Sequence, residues 1–85
     1  MDSSSNFLDL VHNAVHHPDD ADRPELLRAC GAFLDKSRRI EGDIVKVSRT
    51  LAYKAMEWAM YNDDAMSSMK TIYGVFRMMN KINAR

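Results

Sequence analysis

Apolar residues return every three or four positions through almost the whole of this chain, and that period limits what it can become more than any other feature. Phe7, Leu8, Val11, Ala14 and Val15 recur at this spacing, with Asp9, His12, Asn13 and His16 on the opposite side. Leu26, Cys30, Phe33, Leu34, Ile40, Ile44, Val47, Leu51, Ala55 and Trp58 share an arc of about 140° when wound as a helix. Met66, Met69, Ile72, Tyr73, Phe76, Met79 and Ile82 form a third such set. Three Gly and two Pro supply little turn chemistry for a β-sandwich or barrel. The expected fold class is therefore all-α: a small helical hairpin or three-helix arrangement of a short helix, a long central helix and a C-terminal helix.

The boundaries follow from capping chemistry. Ser3, Ser4 or Ser5 can accept a bond from an orphaned amide at the start of a first helix over about 5–17, which Pro18 ends. Asp22 is placed to cap the next helix, and Pro24 suits its first turn because proline has no amide to leave unsatisfied there. The preserved apolar phase predicts one central helix over 24–62, running through Gly42 at a cost of roughly 1 kcal/mol. A break at Glu41-Gly42-Asp43 is the main structural alternative. Asn62-Asp63-Asp64 can cap a last helix over about 64–83.

Eighty-five residues make one domain, 1–85. A chain this short hides only about 60% of its unfolded surface. Two oily helical sides are more than it should cover alone, so completion by a homodimer or higher oligomer is expected. The single Cys30 excludes an internal disulfide framework, and no apolar run is long enough to span a bilayer. With no signal segment visible, the protein is expected to be cytoplasmic.

Lys plus Arg and Asp plus Glu number 12 each, which argues against a histone-like basic protein and against an acidic nucleic-acid mimic. The balance is uneven along the chain: residues 1–23 are net acidic and the rest net basic. On the central helix Arg28, Arg38, Arg39, Lys46 and Arg49 fall on one side, and from Arg38 to Arg49 they would form a rail of about 16 Å. On the last helix Lys70, Arg77, Lys81 and Arg85 do likewise. Such rails can meet phosphates or an acidic partner, although solvated helix faces normally carry cations of this kind. Arg38, Arg39, Lys46, Arg49, Lys70, Arg77 and Lys81 are the candidate phosphate or acidic-partner contacts, and nucleic acid is the alternative ligand. No helix-turn-helix, zinc finger or stacking signature accompanies them, so such binding would be to the backbone of duplex RNA or DNA without sequence specificity.

Catalytic chemistry has little support. Asp9, His12 and His16 are spaced to approach one metal ion, but solvated histidines explain the same pattern and no metal or cofactor is expected. Cys30 lies on the apolar arc, where a buried thiol is the default. No Gly-rich phosphate loop, serine elbow or carboxylate pair is present, and the chain is read as non-enzymatic.

Seven methionines stand out, five of them between residues 60 and 79. Their flexible, polarizable side chains serve either as core filler or as an adaptable docking surface. Trp58, Met60, Met66, Met69, Tyr73, Phe76 and Met79 are the candidate residues for self-association and partner contact. Two short resemblances are visible: Glu57-Trp58 … Tyr61 … Ser67-Ser68-Met69-Lys70 resembles the C-terminal helix of type III secretion needle subunits, and Leu27-Arg28-Ala29-Cys30 with Val47-Ser48-Arg49 resembles the long helix of nodavirus RNA-silencing suppressors. Each covers a few residues, and in both the intervening spacing departs from the family, so neither assigns one. The expected function is that of a small helical interaction or adaptor protein that self-associates and binds a macromolecular, most simply protein, partner.

Overall fold

A computed structural model of the chain describes residues 3–61 and 64–83. Among the described residues four α-helices follow one another: α1 (Ser3–His16), α2 (Arg23–Lys36), α3 (Asp43–Tyr61) and α4 (Ala65–Asn83), with a 3₁₀ turn at Pro18–Asp20. Among the described residues there is no strand. The all-α expectation holds, and so does the cap of α2: the Asp22 carboxylate accepts the Glu25 amide at 3.1 Å, with Pro24 in the first turn. The caps expected from Ser3, Ser4 or Ser5 and from Asn62 and Asp63 lie outside the described residues and side chains, as does Arg85.

The single helix expected over 24–62 is not formed. It is two helices, α2 and α3, separated by a turn over residues 37–42. Three local interactions make this break. The Ser37 amide closes α2 by donating to the Phe33 carbonyl at 2.9 Å, and its hydroxyl donates back to the Leu34 carbonyl at 3.3 Å. The Ile40 amide donates to the Ser37 carbonyl at 3.2 Å, tightening the turn. Gly42 then takes φ +145°, a conformation that is cheap only without a Cβ, and its carbonyl accepts the first amide bond of α3, from Lys46, at 3.0 Å. The apolar phase survives the break because α2 and α3 both turn their apolar sides to one core. Ile40, expected within that core, sits in the turn at 54% exposure.

The helices form a ring in chain order: α1 packs on α2, α2 on α3, α3 on α4, and α4 returns more sparsely to α1. Neighbours run in opposite directions. Phe7 near the start of α1 stacks on Phe33 near the end of α2 at 4.5 Å, and Arg23 at the start of α2 lies 4.3 Å over the ring of Trp58 near the end of α3. This is the arrangement that short connections impose on a helical bundle. At 19 residues each, α3 and α4 are about 28 Å long, in a molecule whose longest extent is 34 Å.

The core draws on all four helices: Phe7, Val11 and Ala14; Leu26, Ala29 and Cys30; Leu51, Ala52, Ala55 and Trp58; Ala65, Met69 and Phe76. Alanines at the contact positions let the axes approach closely. Each large side chain fully buried there contributes about 1.5–3 kcal/mol. The two buried serines are satisfied, since Ser48 Oγ donates to the Ile44 carbonyl at 2.8 Å and Ser37 bonds as described.

Candidate functional site on the fourth helix

Helix α4 has apolar residues around more of its circumference than the bundle covers. Ala65, Met69 and Phe76 point into the core. A second line, Val75, Met78 and Ile82, follows at helical spacing and lies outside it, with exposures of 45%, 66% and 64%. Beside that line α3 and α4 leave a shallow groove of about 230 Å³, lined by Lys46, Val47, Thr50, Thr71, Ile72 and Val75. Both threonines are turned away from a partner: Thr50 Oγ1 donates to the Lys46 carbonyl at 3.0 Å and Thr71 Oγ1 to the Ser67 carbonyl at 3.1 Å. With its hydroxyls so engaged, the groove has an apolar floor.

The opposite edge of this outer face is basic. Lys70, Arg77 and Lys81 are exposed and fall within about 40° of arc. No carboxylate among the described residues pairs with any of them. Helix α4 itself contains neither Asp nor Glu. Between the apolar and basic edges lies Gly74, which is exposed and at which an added Cβ would meet nothing within 4 Å. It makes a shallow depression walled by Arg77, Met78, Asn80 and Lys81.

The seven residues expected as a contact surface differ widely in exposure. Trp58, Met69 and Phe76 are 4%, 0% and 8% exposed and belong to the core of this one chain. α1 and the fold-back of α2 on α3 cover these three within the chain, while Val75, Met78 and Ile82 on α4 stay uncovered. Met66, Tyr73 and Met79 are half-buried, and Met60 is exposed near the end of α3. The outer face instead uses Val75, Met78 and Ile82. Their signal was the width of the α4 apolar arc, more than one packing seam can absorb.

The central basic rail is also divided. Arg38 and Arg39 lie in the turn between helices, with an Arg38 guanidinium nitrogen 3.8 Å from the Asp35 carboxylate, while Lys46 and Arg49 are on α3 and Arg49 is half-buried. No straight 16 Å row exists there.

The remaining candidates for chemistry are accounted for by packing. His12 Nδ1 and the Tyr73 hydroxyl are hydrogen-bonded at 2.8 Å, and His16 Nδ1 donates to the His12 carbonyl at 2.9 Å, with the two imidazoles 4.2 Å apart. Among the described residues no three His, Cys, Asp or Glu side chains gather to hold a metal ion. Cys30 is buried, and burial pushes its thiol up to about 12, so it stays protonated at neutral pH. Among the described residues no helix is long and apolar enough to cross a membrane. Comparison with protein-family models, with curated proteins and with solved structures finds no match for the chain.

Proposed function

We propose that the protein is a non-catalytic interaction module whose contact surface is the outer face of α4. One observation carries this reading: a line of aliphatic side chains, Val75, Met78 and Ile82, stands in solvent on a helix whose other apolar line is already buried. Scattered apolar residues on a surface need no explanation, but three in register beside an apolar groove form a surface that a second helix can cover. A module of this kind acts by occupying a partner surface, and the simplest partner to test is a second copy.

Sedimentation equilibrium measures that directly. Lys70, Arg77 and Lys81 of two copies repel when their α4 helices meet, so self-association strengthens as salt rises from about 50 mM to about 0.5 M and screens them. The triple substitution Val75→Asp, Met78→Asp and Ile82→Asp leaves the core untouched and is expected to abolish this association. A variant that associates as the parent does would place the contact elsewhere and reject α4 as the surface.

A further inference from the structure

We infer that the outer face of α4 is built to take an acidic amphipathic helix from another protein. The inference rests on α4 being a contact face and specifies the chemistry of its occupant. Across one exposed helix face the order of chemistry is graded: an apolar line at Val75, Met78 and Ile82, a depression at Gly74, then the cations Lys70, Arg77 and Lys81. A helix laid along this face sets its apolar side on the first line and approaches closely over Gly74, where no side chain holds it off. Its flank then lies against the three cations.

Charge decides what that flank must be. The cations have no carboxylate partner among the described residues, and α4 supplies none of its own. A neutral or basic helix would leave them uncompensated or repelled. A second copy would oppose its α4 cations to these, so this chain is a poor occupant of its own site at low salt. Glutamates or aspartates on one side of an amphipathic helix satisfy all three, with apolar residues at i, i+3, i+4 and i+7 filling the line and the groove beside it. A lipid surface would meet the cations but cannot fill a groove between two helices. A nucleic-acid backbone would leave Val75, Met78 and Ile82 facing phosphates.

The test uses the full chain and a fluorescein-labelled synthetic peptide of about 20 residues, with Leu at the i, i+3, i+4, i+7 positions and Glu on the adjoining side. Anisotropy is expected to give saturable binding at about 50 mM salt that weakens at least tenfold by about 0.3 M, the reverse of the salt response of self-association. Arg77→Glu with Lys81→Glu is expected to weaken it at least tenfold. Gly74→Gln puts a helix-favouring residue where an added Cβ meets nothing within 4 Å, so the fold is retained, and it is expected to block binding by filling the depression. No peptide binding at low salt, or binding unchanged in both variants, overturns the proposal. So does uptake of the chain by vesicles of phosphatidylserine and phosphatidylcholine, or capture of duplex RNA, where the peptide fails to compete. If the peptide fails while the chain still associates through Val75, Met78 and Ile82, the acidic occupant is wrong and the contact face stands.

Discussion

The Tyr73 hydroxyl and His12 Nδ1 meet at 2.8 Å across the seam between α4 and α1, the most sparsely packed corner of the bundle. The tyrosine ring also lies edge-on to His16 and stacks on Phe76 at 6.4 Å. The seam thus depends on one polar bond and a few rings where the other seams have broad apolar contact. Tyr73→Phe keeps the ring and removes the bond, and is expected to cost about 0.5–1.5 kcal/mol in urea unfolding. His12→Ala should add little to it in the double variant, because both remove the same bond. Fully additive losses would mean that the bond contributes nothing.

Gly42 gives a test of opposite sign for two folds. In a continuous helix over 24–62, Gly42→Ala would stabilise by about 1 kcal/mol through helix propensity. At φ +145° the same change is expected to destabilise by about 1 kcal/mol or more, with no steric clash involved, since a Cβ there would meet nothing within 4 Å. Thermal unfolding of the single variant decides between them.

Met69 and Met78 sit on one helix and look alike in sequence, yet they are 0% and 66% exposed. Met69→Ala is expected to cost about 2–5 kcal/mol and Met78→Ala no more than about 0.5 kcal/mol. Equal effects in chemical denaturation would contradict the placement of α4.

Cys30 links stability to alkaline pH. Its thiol ionises near 12 in the folded protein against an ordinary 9.0, because burial disfavours the thiolate. Between those values the unfolded chain sheds a proton that the folded chain keeps. Stability therefore falls as pH rises above about 9, by up to roughly 1.4 kcal/mol per pH unit from this group. The difference in urea midpoint between the parent and Cys30→Ala, followed from pH 8 to about 11, isolates the effect. The thiol should also react with Ellman's reagent only on unfolding; rapid reaction in the native state would contradict its burial.

The helical class, the cap at Asp22, the stop at Pro18 and the core positions Phe7, Val11, Leu26, Cys30, Leu51 and Met69 could all be read from spacing and capping chemistry. These are local properties, fixed by which atoms a residue offers to neighbours three or four positions away. The basic edge of α4 could be read in the same way, because it depends only on angular position around one helix.

Which apolar line became core and which became surface was settled only when the helices met. Phase across Gly42 could not separate one long helix from two antiparallel ones, since both present the same residues to one side. Folding α3 back on α2, with α1 closing the ring, gave Trp58, Met69 and Phe76 a cover within the chain and left Val75, Met78 and Ile82 without one. A periodic pattern states that a side of a helix is oily. Only the packing of other helices against it states how much of that oil is removed from water, because burial depends on neighbours distant in the chain.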